Sequence, residues 1–171
     1  MATTQKIVSN LWFDNEAEEA AKYYTSIFKD ASMGRVSYYG KEGFEIHGGK
    51  EGSVLTVEFT LNGQNFMALN GGPLFKFNES VSFMVMCESQ EEIDYYWEKL
   101  SAGGDKNAQQ CGWLKDKYGL SWQVAPKILG EWIADSDRER ADRVMKAMLK
   151  MKKLNLAELE KAYNEKSPVH Q

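Results

Sequence analysis

At 171 residues the chain is long enough for one well-buried domain or two small fused modules. A hydrophobic share of 43%, an aromatic share of 12% and a net charge of −4 exclude a disordered chain and leave no basic stripe for nucleic acid. The opening MATTQKIVSN has no apolar core for a signal peptide, and no stretch approaches the roughly 18–20 apolar residues of a membrane span. A cytoplasmic protein with no membrane and no nucleic-acid partner is expected.

Residues 6–13 read as a strand. Alternation places Ser9, Leu11 and Phe13 on one face and Val8, Asn10 and Trp12 on the other. EAEEAAKYYTSIF then carries Ala17, Ala20, Ala21, Tyr24, Ile27 and Phe28 at helical spacing. Asn15 is the expected cap, with Glu18 completing a capping-box pair, and the helix should end near Lys29-Asp30. Strands follow over 34–39, 53–61 and 64–69. The last two flank Asn62-Gly63, the strongest short hairpin signal. Gly71-Gly72-Pro73 and the following FKFNE read as a linker.

The pattern then returns. Residues 80–87 read as a strand with Ser82, Met84 and Met86 on one face. Ser89 caps QEEIDYYWEKL, with Glu92 at the box position and Ile93, Tyr96, Trp97 and Leu100 as the buried stripe. Gly103-Gly104 stops the helix. A weaker strand is expected within 106–110, another over 112–115, a turn at Lys117-Tyr118-Gly119, and a last strand over 120–125. Ser121, Gln123 and Ala125 share one face of that last strand. Each half therefore reads β-α-β-β-β, an internal repeat.

Beyond Pro126 the periodicity changes. Ser136-Asp137-Arg138-Glu139 opens a long helix with Ala141, Val144, Met145, Met148 and Leu149 on one face. Asn155 starts a shorter one with Leu156, Leu159 and Tyr163. The fold class is thus α+β: modules over 1–72 and 73–128 and a helical extension over 129–171, together one compact domain.

The chemistry is sparse. Two cysteines, Cys87 and Cys111, are too few for a disulfide framework and lack metal-site spacing. The two histidines are His47, in the glycine-rich IHGGKEG, and His170, beside the C-terminus. No metal and no cofactor are expected. There is no nucleophile elbow, no dinucleotide fingerprint and no P-loop. The catalytic candidates are Cys111, Asp116 and His47, the last being the only near-neutral base in the folded region. What remains is placed polar groups on apolar strands, which is how a small-molecule pocket is lined.

LWFDNEAEEAAKYYTSIF, TVEFTLNGQNFMALNGGPLFKFNESVSFMV, QCGWLKDKYGLSWQVAPK and RVMKAMLKMKK closely resemble the PhnB-like proteins. These are also labelled 3-demethylubiquinone-9 3-methyltransferase-like. They are part of the vicinal oxygen chelate superfamily, with the glyoxalase and bleomycin-resistance proteins and the extradiol dioxygenases. The resemblance runs from about Lys6 to Tyr163. It implies paired βαβββ modules of the glyoxalase/bleomycin-resistance type, curled around a cavity, and a homodimer whose pockets arise from module pairing.

The resemblance also maps the superfamily's four metal-ligand positions onto Ser9, Asn70, Ser82 and Gln123. Two hydroxyls and two amides hold a transition metal poorly, and only Gln123 is a plausible ligand. The expected ligand-binding set is these four with Leu11, Phe13, Met84, Trp113 and Trp122. One of the two tryptophans should line the cavity and the other should pack under a helix. Nothing in the chain resembles the glycine-rich S-adenosylmethionine loop. Three functions fit: a metal-independent protein that binds or sequesters a small apolar or aromatic ligand, a metal-independent isomerase or transferase, and a structural homodimer or partner-binding module using the Met-rich segment 145–151.

Overall fold

The computed structural model describes residues 5–165, so His170 lies outside them. The chain divides into two compact units between Phe77 and Asn78, within the linker that the glycine and proline run marks.

The first unit runs β1 (Ser9–Phe13), α1 (Ala17–Ile27), β2 (Ala31–Tyr38), α2 (Phe44–His47), β3 (Val54–Leu61) and β4 (Gln64–Asn70). Its sheet has the order β1-β4-β3-β2, with β1 and β4 parallel and the other pairs antiparallel. Asn62 (φ 46°) and Gly63 (φ 76°) are both left-handed, which is the geometry that closes a two-residue hairpin. One sheet face buries Leu11, Phe13, Val57, Phe59, Leu61, Phe66 and Ala68. Helix α1 lies on it through Ala17, Ala20, Ala21, Tyr24 and Ile27, the three alanines allowing a close approach. Tyr24 stacks on Phe59 at 6.2 Å, and Phe59 on Phe66 at 5.2 Å.

This packing corrects the expected role of the first strand. Leu11 and Phe13 are core, 5% and 3% exposed, because their face is the one α1 covers. Register pairs Asn10 with Met67 and Trp12 with Leu69, so these four form the opposite, open face together with Thr56, Glu58 and Thr60. The expected Asn15 cap is also replaced. The Ala17 amide donates to Asn70 Oδ1 at 2.8 Å, so the start of α1 is tied by the end of β4.

The second unit runs β5 (Ser82–Cys87), α3 (Gln90–Ser101), a 3-10 turn (Lys106–Ala108), β6 (Trp113–Lys115), β7 (Ser121–Pro126), α4 (Leu129–Ile133), α5 (Arg138–Met148) and α6 (Leu156–Asn164). Its sheet has the order β5-β7-β6, with β5 and β7 parallel. It follows the plan of the first unit with one strand reduced: the strand expected within 106–110 is the 3-10 turn, nucleated by Asp105 Oδ1 accepting from the Asn107 amide at 2.8 Å. Ser89 caps α3 as expected, its Oγ accepting from the Glu92 amide at 3.3 Å. Asp137 rather than Ser136 caps α5, and Asn155 caps α6.

The C-terminal helices belong to this unit. Ala125, Leu129, Val144, Leu154 and Leu159 form a buried cluster, with Trp132 stacked on Tyr163 at 5.3 Å. Helix α4 was not expected, and Leu149 lies outside the buried stripe, 57% exposed. The amides of Cys111 and Gly112 donate to the Met151 and Lys152 carbonyls at 2.8 and 2.7 Å. Gly112 is required there: at φ 84° a Cβ would stand 2.9 Å from the Val124 carbonyl oxygen. No helix among the described residues is long and apolar enough to cross a membrane.

Candidate functional site

The second sheet buries one face, and the other is open only in part, since Ser121 and Ala125 on it are buried. Val85, Cys87, Leu114, Trp122 and Val124 point to the buried side, where α3 contributes Ile93 and Leu100. Strand register then puts Ser82, Met84 and Met86 of β5, Ser121, Gln123 and Ala125 of β7, and Trp113 and Lys115 of β6 on the other face. Met84 and Met86 are 54% and 47% exposed there, an uncommon position for unbranched apolar side chains in a short strand.

Two of the four expected polar positions meet on this face. Gln123 Nε2 donates to Ser82 Oγ at 2.9 Å. One step along the strands, Ser121 pairs with Ser82 on one side and Lys115 on the other. Ser121 is 1% exposed, and its Oγ has no hydrogen-bond partner. Lys115 forms an ion pair with Glu79. The hydrogen bond from Lys115 is the main cause holding the Glu79 carboxyl below its ordinary range. Sequence reasoning left Ser121 and Lys115 out of the site. The alternation that placed Gln123 also places Ser121, and Lys115 follows from Trp113 in the same way.

The two tryptophans lie on opposite faces of the sheet. Trp113 is partly exposed on the open face opposite Gln123. Trp122 is excluded from any ligand surface: it is 3% exposed, 5.6 Å from Phe83, and its indole N–H donates to Asp116 Oδ2 at 2.8 Å. Asp116 is correspondingly structural. It is 2% exposed, and its Oδ1 accepts from the Tyr118 and Leu120 amides at 2.9 and 3.1 Å. The carboxylate folds the Asp-Lys-Tyr-Gly turn and fixes Trp122, which leaves it badly placed to move a substrate proton.

His47 is held the same way. Its Nδ1 accepts from the Gly49 amide at 2.9 Å while Nε2 faces the Glu42 carbonyl at 3.0 Å, an arrangement that selects the neutral Nε2–H tautomer. Its ring lies 4.5 Å from that of Tyr39. Both line a cleft of about 500 Å³ in the first unit, with Asp14, Glu18, Lys50 and Asn70. His47 therefore organises its loop through both ring nitrogens. Cys111 is half-buried at φ 52°, with Gln110 Nε2 donating to its Sγ at 3.4 Å. That contact supplies no base to draw off the thiol proton. Cys87 is inert in another way: burial, and then the nearby Glu92, push its thiol up to about 12.

Each of the four positions expected to descend from metal ligands is accounted for within its own unit. Asn70 spends both ends on backbone, Oδ1 on the Ala17 amide and Nδ2 on the Val54 carbonyl at 3.0 Å. Ser9 shares the parity of Leu11 and Phe13, on the helix-covered face. Ser82 and Gln123 are neutral and bonded to each other. Among the described residues no group of three or more His, Cys, Asp or Glu side chains could hold a metal ion. This donor set does not fit a divalent transition metal.

The family model for 3-demethylubiquinone-9 3-methyltransferase matches residues 5–125. A putative 3-demethylubiquinone-9 3-methyltransferase, PhnB protein, from Bacillus cereus is 39% identical; the match covers 71% of this chain and 99% of that one, with a TM-score of 0.62. A protein from Staphylococcus aureus is 30% identical over 72% of this chain and 97% of its own, with a TM-score of 0.31. Protein PA1353 from Pseudomonas aeruginosa shares the fold at 17% identity and a TM-score of 0.57, covering 72% of this chain and 98% of its own. No curated protein matches the chain. From residue 5 to residue 125, then, this chain belongs to the 3-demethylubiquinone-9 3-methyltransferase family, the PhnB-like proteins.

Proposed function

We propose that this protein binds a small apolar or aromatic molecule without a metal, on the open face of the second sheet. The observation that carries the reading is that face itself: exposed Met84 and Met86 and partly buried Trp113 around the hydrogen-bonded Ser82–Gln123 pair. Methionine and tryptophan adapt to varied apolar shapes, and a few fixed polar atoms orient the guest. The engagement of Asp116 and His47 in backbone hydrogen bonds favours binding over proton-transfer catalysis. Methyl transfer, as in the family's name, would need a donor seat of its own, and the reading rests on binding alone. The working unit is a homodimer, as the family resemblance implies.

Native mass spectrometry of the purified protein, followed by denatured mass and elemental analysis, tests this. The expected species is a metal-free dimer that carries or takes up a small organic molecule. Ser82→Phe should block uptake while leaving the circular dichroism spectrum unchanged. Stoichiometric zinc, manganese, nickel or iron would overturn the reading, as would uptake undiminished in Ser82→Phe.

A further inference from the structure

Ser82, Ser121 and Lys115 lie in one row across β5, β7 and β6, on one face of the second sheet. Ser82 is already used by Gln123. Ser121 is not: its hydroxyl is buried at the start of the central strand with no hydrogen-bond partner. A buried hydroxyl without a partner is costly, and native proteins rarely keep one unless something else completes it. The next group in the row is a cation. The Lys115 side chain is 24% exposed and its ammonium already holds a carboxylate, that of Glu79, whose own side chain is 62% exposed. An ion pair with so exposed a partner is weak and exchangeable.

We infer that this row is an anion seat, in which the Lys115 ammonium and the Ser121 hydroxyl take the carboxylate of a ligand whose apolar body lies on Met84 and Trp113. The inference rests on the binding reading above and deepens it, because it names the ligand class: a small carboxylic acid with an apolar or aromatic body. Glu79 is then a built-in competitor. It occupies the ammonium when the seat is empty and swings aside into solvent when a ligand carboxylate arrives. The apolar body supplies most of the burial, and the ammonium selects charge, since a hydrogen bond to an ionised acceptor is about twice as strong as a neutral one. Neutral amides of the same shape make the same apolar contacts and lose the ion pair.

The test compares 1-naphthoate with 1-naphthamide on the full chain by isothermal titration calorimetry. Naphthoate is expected to bind about tenfold more tightly, the ratio a single charged hydrogen bond supplies. Lys115→Met should erase that preference by weakening naphthoate alone, and Ser121→Ala should reduce it severalfold. Glu79→Gln, an exposed and structurally mild change, should tighten naphthoate severalfold by freeing the ammonium. If Lys115→Met fails to fold, Glu79→Gln alone decides. Equal binding of both probes to the parent protein, or a Glu79→Gln variant with unchanged or weaker naphthoate affinity, overturns the seat and leaves the binding reading standing. Failure of both probes to bind at millimolar concentration overturns the seat and the binding reading together.

Discussion

The two units solve the same problem by different means. Each has a strand feeding a helix whose first amides need acceptors. In the second unit the solution is local: Ser89 caps α3, and Glu92 reaches back to the Glu88 amide at 2.8 Å. In the first it is tertiary: the N-cap residue Glu16 makes no side-chain cap bond, and Asn70, from the end of the neighbouring strand β4, serves Ala17 instead. Polar residues near strand ends can thus be functional candidates in one unit and structural ties in the other. Gln123, facing Ser82 on an open surface, remains available for ligand contact; Asn70, with both ends on backbone, does not.

The largest expected effect separates the tryptophans of the second unit. Trp122→Ala removes a buried ring and the hydrogen bond to Asp116 Oδ2, and should cost about 3–5 kcal/mol in urea unfolding followed by circular dichroism. Trp113→Ala, on the open face, should cost under about 1 kcal/mol and instead weaken ligand uptake. Equal losses of stability would mean that both rings are core and that the open face is not a binding wall.

This division was only half legible in the sequence. Alternation put Gln123 and Trp122 on opposite faces, but which face is covered depends on where the helix lands. In β1 the signal failed outright, because Leu11-Trp12-Phe13 is a continuous apolar run and Ser9-Asn10 a continuous polar pair. Neither parity stands out, so packing under α1 decides, and it takes Leu11 and Phe13. The hairpin at Asn62-Gly63 and the Ser89 cap were readable because their chemistry is local. The Asn70 cap and the roles of His47 and Asp116 were not, since their partners are backbone groups that only the fold brings near. The 3-10 turn at Lys106–Ala108 was missed because a short polar run carries no periodicity of its own.

The two capping schemes give the next contrast. Asn70→Ala loses the bond to the Ala17 amide and the one to the Val54 carbonyl, so about 1–2 kcal/mol is expected. Ser89→Ala loses a single, longer bond and should cost about 1 kcal/mol or less. Asn70→Asp sharpens the comparison, because it keeps the acceptor and discards the donor. A variant that recovers roughly half of the alanine loss assigns the cap to Oδ1. Full loss in Asn70→Asp would mean that the tie to β3 matters and the cap does not.

The smallest expected effect is on metal addition. A divalent ion bound at a hundred times its dissociation constant stabilises a protein by about 2.7 kcal/mol, which moves the melting temperature by several degrees in a chain of this size. With only two hydroxyls and two amides at Ser9, Asn70, Ser82 and Gln123, zinc or manganese should move it by less than about 1 °C. The comparison between units tells where a contrary result would come from. Asn70 can bind an ion only by releasing α1, so a site there would destabilise the helix it serves. Gln123 and Ser82 face outward and could turn to an ion with no such loss. Stabilisation that disappears in Gln123→Ala would therefore place a working metal site on the second sheet, and the same residues would then have to be read as ligands instead of as a polar pair orienting an organic guest.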